Sequence, residues 1–179
     1  MPKELNGREL AGFIKERQAG RVKTLRSEKI FPRLLILRDS KDPVIEKYVS
    51  LKKHYGEDIG VPVSDVVVES PAELSEAIRS ANSDDSVSAL IVQLPLKSLV
   101  STSPEEKKLA LDALLGEISP EKDIDGLSGH GRFDSATATA INWLLAGYDI
   151  PLVGKKIALV GRGRLVGAPL FKMFKNSGL

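Results

Sequence analysis

Short apolar segments alternate with segments of helical periodicity along the chain up to Leu115. The apolar segments, at 32–38, 63–68 and 87–94, have the length and composition of buried strands. Each is followed by a helical segment, and crossover connections of this kind place successive strands parallel to one another. A parallel sheet needs helices on both faces. The order therefore predicts an α/β fold, with an N-terminal three-layer αβα domain around a mainly parallel sheet.

The sequence also marks where helices begin and end. Ser70-Pro-Ala-Glu73 and Ser103-Pro-Glu-Glu106 each combine an N-cap hydroxyl, a proline at the first helical position and a carboxylate three residues after the cap. Another helix is predicted over residues 4–29, and a further one from Pro43, which Gly60 ends. These signals predict helices before, between and after the strands.

The composition changes after Leu115. Residues 116–134 are rich in glycine and charge and are typical of a linker. Further elements are predicted downstream: a helix at 136–146, a strand at 156–160, a glycine-rich turn at 161–167 and a helix from Ala168. We expect two domains, at 1–118 and 119–179, of which the second is the start of an incomplete Rossmann-type domain. One βα unit cannot bury both faces of its strand, so this part should be poorly stable alone or rely on a partner chain.

Composition excludes several classes of protein. Hydrophobic residues make up 42% and charged residues 28%, the formal charge is +2, and no basic block suggests a nucleic-acid partner. Cysteine is absent, which excludes disulfides and thiolate metal sites, and His54 and His130 form no metal-ligand pattern. No apolar run approaches the roughly 20 residues of a membrane span, and the first residues lack the apolar core of a signal peptide. We expect a soluble cytoplasmic protein without a metal.

The turn Gly161-Arg-Gly-Arg-Leu-Val-Gly167 points to phosphate binding. A glycine-rich turn between a strand and a helix presents backbone N–H groups to an anion. Its G-x-G-x-x-x-G spacing is one residue longer than the dinucleotide fingerprint, and a turn that needs glycine only for steric reasons is the alternative. Arg162 and Arg164 favour the phosphate interpretation, and NADP over NAD, because guanidinium groups bind a 2′-phosphate.

Three further motifs carry candidate site residues. Tyr48 and Lys52 share one face of the predicted helix, where a desolvated lysine suits proton transfer; a snorkelling lysine beside a core tyrosine is the alternative. Gln93 ends a buried strand, where ligands of parallel sheets bind, although a simple strand-ending amide would look the same. Lys122-Asp-Ile-Asp-Gly126 offers two carboxylates in a loop, either an Asx-type turn or an acceptor for N–H donors of a heterocycle.

Together and in this order, the motifs resemble the bifunctional methylenetetrahydrofolate dehydrogenase/methenyltetrahydrofolate cyclohydrolase family. The resemblance runs from about residue 4 to the end of the chain. It rests on Tyr48-x-x-x-Lys52, on Val-Gln-Leu-Pro-Leu around Gln93, on Pro120-Glu-Lys-Asp-Ile-Asp-Gly126 and on the segment from Gly154 to Pro169.

The resemblance implies roles for individual residues. Lys52 matches the catalytic lysine, Tyr48 the tyrosine that lines the folate pocket, Gln93 the glutamine that positions the lysine, and Asp125 the aspartate that holds the pterin ring. The cofactor is then NADP, and the residues that match its binding segments are Gly161, Arg162, Gly163, Gly167 and Thr137. A hydride would leave the methylene bridge for NADP+, and water would attack the resulting methenyl cation to give the 10-formyl product. A homodimer that binds folate is implied as well.

The departures from the family lie mostly on the cofactor side. The family's longer connection ending in Pro-Cys-Thr-Pro is short here and keeps only Thr137, while Ser135 and Ala138 replace the prolines. The family's Gly-Arg-Ser becomes Gly-Arg-Gly at Gly163, which removes a hydroxyl. The family also continues with several more βα units. Two alternatives therefore stay open: a cyclohydrolase without dehydrogenase activity, and a non-redox folate-binding remnant.

Overall fold

The computed structural model describes residues 4–101 and 103–177, so the outermost residues of both predicted domains, 1–3 and 178–179, lie outside it. Up to Gly116 its helices and strands follow one another in the predicted alternation. In chain order they are α1 (Gly7–Ser27), β1 (Leu34–Arg38), α2 (Pro43–Ile59), β2 (Val63–Val67), α3 (Pro71–Ser83), β3 (Ala89–Val92), α4 (Pro104–Gly116), α5 (Ala136–Gly147) and α6 (Gly167–Asn176).

The sheet has the strand order β2-β1-β3, and both pairings are parallel. In this register Leu34 lies opposite Val63 on one side and Ala89 on the other. An isolated parallel bridge between Leu90 and Asp123 adds a short stretch of the later chain beside β3. The predicted α/β class with a parallel sheet is confirmed.

Alternate residues of the strands face two separate cores, as the period of two requires. On one face Leu37 and Leu90 pack with buried residues of α3 and α4, among them Leu74 and Leu115. On the other face, the buried side chains of β1 and β3 pack against α2; they are Ile36, Ile91, Ile45 and Val49. Helices therefore cover both faces, which confirms the three-layer αβα arrangement.

The predicted helix signals act as expected. The hydroxyl oxygens of Ser70 and Ser103 accept hydrogen bonds from the backbone N–H groups of Glu73 and Glu106. Gly60 ends α2 in the left-handed conformation, with φ +78°, which a residue with a Cβ rarely adopts. The ends of α2 and α3 fix the positions of β2 and of the segment that leads to β3.

The predicted strand at 156–160 does not form, and this part of the prediction is wrong. The segment is irregular, Val160 is fully exposed, and Ile157 is 39% exposed. A strand is stable when a neighbour takes up its backbone hydrogen bonds, and no other strand lies beside this segment in the described part of the chain. The glycine-rich turn and α6 are present, and Leu170 and Phe174 of α6 pack with Ala138 of α5 in a third core.

The domain boundary near residue 118 stays a prediction. Ile118 and Leu127 both belong to the core that contains α3 and α4, so the chain beyond Leu115 still contributes to the first unit. None of the helices in the described ranges combines the length and apolarity needed to cross a membrane.

Candidate functional site

Lys52 and Gln93 meet at the carboxyl end of the sheet. Lys52 projects from the third turn of α2, and its Nζ donates a hydrogen bond to Gln93 Oε1 at 2.8 Å. Gln93 directly follows β3, and its backbone N–H continues the strand ladder by donating to the Leu37 carbonyl at 2.8 Å. Its side-chain Nε2 donates to the Leu94 carbonyl at 3.0 Å. Because this contact engages the amide nitrogen, the amide oxygen faces the lysine, which has only donors to offer.

Asp125 joins this pair through the chain stretch beside β3. The parallel bridge places Asp123 opposite Leu90. Asp125, two residues further on, lines the same cleft as Lys52, and its charge acts on the pKa of that lysine. The structure therefore brings together three side chains that are far apart in sequence.

Lys52 and Asp125 border a cleft of about 410 Å³. Tyr48, Lys52 and Asp125 line it, and most of its remaining wall is apolar; that wall includes Leu34, Leu51, Val63, Ile91 and Ile124. Tyr48 is 54% exposed, so its ring borders the cleft and remains open to a ligand. An apolar cleft with a few converging polar groups is the usual form of a small-molecule site.

Burial dominates the electrostatics of Lys52 and Asp125. Desolvation lowers the pKa of Lys52, and the negative charge of Asp125 opposes that shift. Desolvation raises the pKa of Asp125; the Lys52 charge opposes this shift and the Asp123 charge adds to it. A tight ion pair would shift both pKa values the other way. The cleft therefore lowers the cost of moving a proton on or off these groups, which is the property needed for acid–base catalysis.

Sequence reasoning missed part of the cleft. Tyr55 lies one further turn along the same face of α2 and lines the cleft with Ile124 and Ala136. Its hydroxyl donates to Gln18 of α1 at 2.6 Å, so it is held in place rather than free to turn. The signal was available, because Tyr48, Lys52 and Tyr55 follow helical spacing.

The glycine-rich turn has the close approach that its sequence suggests. Gly161 has φ +89°, and a Cβ on Gly167 would overlap the Gly161 carbonyl oxygen and lie 2.9 Å from its carbon. Beside the turn is a cleft of about 790 Å³. Basic side chains line it from α4, the turn and α6; they are Lys107, Lys108, Arg162, Arg164 and Lys172. This donor set suits an anionic group such as a dinucleotide phosphate.

The two arginines of the turn already have partners. Arg162 stacks over the ring of Phe171, 4.1 Å from its centroid, and Arg164 forms an ion pair with Asp112 of α4. Gly163 lies between them, with open space where a Cβ would stand. Thr137 lines a different cleft, of about 870 Å³ between α1 and α5, so the structure does not bring it together with the turn.

Comparison with known proteins identifies the class and then the family. The fold and the lysine-centred cleft define an α/β protein with a candidate small-molecule site. The profile of the tetrahydrofolate dehydrogenase/cyclohydrolase catalytic domain matches residues 5–125, and the chain belongs to this family.

Relatives cover nearly the whole chain. The bifunctional protein FolD of Lactobacillus helveticus is 34% identical over 182 residues, which are 95% of this chain and 61% of that protein. The FolD protein of Acetivibrio thermocellus is 32% identical, over 94% of this chain and 60% of its own length. The chain therefore spans about three-fifths of the length of these curated relatives.

Solved structures show the same fold. The FolD methylenetetrahydrofolate dehydrogenase/cyclohydrolase of Campylobacter jejuni matches with a TM-score of 0.85 at 28% identity, over 97% of this chain and 63% of that one. The 5,10-methylenetetrahydrofolate dehydrogenase of the silkworm Bombyx mori matches with a TM-score of 0.80 at 25% identity, over 95% and 60%.

Proposed function

We propose that this chain provides the folate site of an NADP-dependent methylenetetrahydrofolate dehydrogenase and methenyltetrahydrofolate cyclohydrolase. The observation that carries the proposal is the hydrogen bond from Lys52 Nζ to Gln93 Oε1 at 2.8 Å, beside a cleft that Lys52 and Asp125 line together. The family supplies the reaction, and these three side chains supply the groups that it needs.

Asp125 is proposed to hold the pterin ring. The 2-amino-4-oxopyrimidine edge of a folate presents neighbouring N–H donors, and an ionised carboxylate accepts both. Burial raises the pKa of Asp125 in the free protein, so N–H donors that stabilise the charged form should lower it again on binding. Folate binding should therefore weaken as the pH falls through the pKa of Asp125.

Lys52 is proposed to move the proton of the attacking water in the hydrolytic step. Its lowered pKa increases the neutral fraction that can accept a proton, and Gln93 holds the amine at the end of β3. Tyr48 lies one turn before Lys52, lines the cleft and is exposed, and its ring is proposed to stack on the folate near the reacting carbon.

The basic cleft beside the glycine-rich turn is proposed to bind NADP. Gly161, Arg162, Gly163 and Gly167 form the turn, and the close approach at Gly167 fits a backbone cradle for phosphate. When bound, NADP+ supplies the hydride acceptor for the oxidation. Thr137 is proposed to border the cofactor from the α5 side, as the resemblance implies.

Two assays of the purified protein test the proposal. Loss of methenyltetrahydrofolate absorbance without NADP measures hydrolysis, and NADPH formation from methylenetetrahydrofolate measures oxidation. We expect both activities, and absence of both overturns the proposal. Hydrolysis alone would support the cyclohydrolase alternative, and folate binding with neither activity would support the folate-binding remnant.

The cellular setting is proposed from the resemblance alone. It comprises a homodimer in the cytoplasm that acts in one-carbon metabolism and supplies purine biosynthesis. Sedimentation equilibrium measures the association state directly, and a monomer at micromolar concentration would contradict the dimer.

A further inference from the structure

Asp123 is the most deeply buried carboxylate in the described part of the chain, with 1% of its surface exposed. Its two oxygens accept hydrogen bonds from backbone N–H groups that follow it. Oδ1 accepts from Leu127 at 3.2 Å and Oδ2 from Ser128 at 2.9 Å. The carboxylate thereby closes the loop on which Asp125 stands, two residues away.

Gly131 confirms how closely the loop returns to this carboxylate. A Cβ on Gly131 would lie 2.6 Å from Asp123 Oδ2, which is closer than real contacts allow, and 3.2 Å from its Cγ, which is tight. The Asp123 carboxylate can therefore occupy this position only because residue 131 is a glycine.

Lys122 fixes the same stretch from the other side. Its Nζ donates to the carbonyl oxygens of Ala81 at 2.8 Å, Asn82 at 2.9 Å and Asp84 at 2.8 Å, at the C-terminal end of α3. Its own carbonyl accepts from the Leu90 N–H of β3 at 2.8 Å. The Lys122 side chain thus holds the segment before Asp125 against α3, and the Asp123 side chain holds the loop after Asp125.

Asp123 also acts on Asp125 through its charge, since it adds to the rise in the pKa of Asp125. The ionisable groups that share the cleft with Asp125 are Lys52, Tyr48 and Tyr55, all on α2. Ala136 of α5, which also lines the cleft, carries no charge. Lys52 therefore opposes Asp123 in setting the protonation of Asp125.

We propose that Asp123 is a positioning residue, which with Lys122 as its second anchor holds the Asp125 carboxylate opposite Lys52. The proposal rests on the proposed function for its ligand. In that reaction Asp123 touches neither substrate nor cofactor; it sets where Asp125 stands and how readily it ionises.

The charge is tested by NMR titration of carboxyl-labelled protein, without any ligand. In Asp123→Asn the pKa of Asp125 should fall, because removal of a neighbouring negative charge favours the ionised form. An unchanged or higher pKa of Asp125 overturns the electrostatic part of the proposal. A merely structural anchor would not produce this downward shift.

The position is tested by Gly131→Ala, which leaves every charge in place but displaces the Asp123 carboxylate. Calorimetry with 5-formyltetrahydrofolate should show affinity weakened on the order of tenfold. Gly12→Ala is the matched control, since a Cβ there meets nothing within 4 Å, and its affinity should equal that of the wild type. Equal affinity of both variants overturns the positioning role.

The two proposals fail differently. If the wild-type protein binds no folate, the proposed function fails, and the role of Asp123 is then decided by the titration of Asp125 and by amide exchange at Leu127 and Ser128. Exchange at these amides should quicken in Gly131→Ala, and unchanged exchange counts against the anchor. If Asp123→Asn does not fold, Gly131→Ala still provides the positional test.

Discussion

Replacement of Lys52 by methionine separates catalysis from folding. The change keeps an unbranched side chain in the cleft and removes the amine that donates to Gln93 Oε1 at 2.8 Å. The amide oxygen then lacks this donor, at a cost of about 1–3 kcal/mol in the free energy of unfolding. Part of this cost is offset, because the variant no longer buries a charged amine. In the wild type that burial costs desolvation energy, which is why it lowers the pKa of Lys52. Lys52→Met should therefore fold.

The effect on hydrolysis should be larger than the effect on stability. Acid–base catalysis by a positioned side chain contributes roughly 10²–10⁴-fold. At about 1.4 kcal/mol for each tenfold step, this corresponds to about 3–5 kcal/mol in the activation barrier. The assay is the decay of methenyltetrahydrofolate absorbance without NADP, combined with thermal unfolding of the same preparation. Lys47→Met is the matched control, because Lys47 is an exposed lysine of the same helix.

The pH dependence of the hydrolysis rate provides a second test with the same variant. If the neutral amine is the active form, hydrolysis by the wild type rises with pH through the lowered pKa of Lys52, and this limb is absent from Lys52→Met. The same lowered pKa makes the free energy of unfolding depend on pH. The contribution of Lys52 to stability is complete above pH 10.5, its ordinary pKa, and is lost as the pH falls through its pKa in the folded protein. A folded Lys52→Met protein that hydrolyses substrate within threefold of the Lys47→Met rate would refute the reasoning.

Three further changes test the packing of α2, the glycine-rich turn and the Asp125 carboxylate. In Gly56→Ala the new Cβ meets a valine side chain and lies 2.5 Å from a backbone oxygen, so thermal unfolding should show a loss of about 1–3 kcal/mol; Gly12→Ala, with open space around its Cβ, should instead gain up to about 1 kcal/mol. Gly167→Ala should weaken NADP binding in calorimetry and leave 5-formyltetrahydrofolate binding unchanged; equal loss of both ligands would contradict a separate cofactor turn. Asp125→Asn should stabilise the free protein at pH 7, because the raised pKa of Asp125 means that its stabilising contribution is complete below 3.8 and lost as the pH rises through the folded-state value. Denaturant unfolding at pH 3 and pH 7 measures this, and a variant less stable than wild type at pH 7 would contradict it.

Local signals explain why most of the first unit was predictable. The Ser-Pro starts of α3 and α4, the glycine that ends α2 and the apolar strands act over a few residues, so the sequence displays them directly. The predicted strands were longer than the observed ones, by two residues at the start of β1 and by two at each end of β3. Hydrophobic periodicity detects burial, whereas a strand ends where its neighbour stops pairing, and that depends on distant residues.

The strand predicted at 156–160 shows the opposite case. Its apolar residues have the right pattern, but a strand needs a partner, and pairing is a property of the sheet rather than of the segment. The candidate site was predicted in part for a related reason. Lys52 and Gln93 stood out by position, but their hydrogen bond depends on the parallel register, which no local pattern reports. The stacking of Arg162 on Phe171 was likewise hidden, since it needs the geometry of the turn.

The two halves of the candidate enzyme rest on different cores, and this division leads to a last prediction. Lys52 stands on α2, which packs on the sheet, and Gln93 follows β3. In contrast, α5 and α6 pack around Ala138 in a core that shares no described member with the other two. One contact that holds the glycine-rich turn against the start of α5 is Ser135, which is 5% exposed and whose hydroxyl donates to the Leu165 carbonyl at 2.7 Å.

Hydride transfer needs the folate and the cofactor held at a fixed distance and orientation, since a small misplacement of the reacting groups slows the reaction strongly. Hydrolysis needs only the folate site. Ser135→Ala removes the hydrogen bond to the Leu165 carbonyl, at a cost of about 0.5–1.5 kcal/mol borne by the turn. Oxidation of methylenetetrahydrofolate should therefore fall at least tenfold while hydrolysis stays within twofold of wild type, as measured in parallel on one preparation. An equal loss of both activities would mean that the sheet and the turn act as one unit, and the separation of the cores would then have no functional consequence.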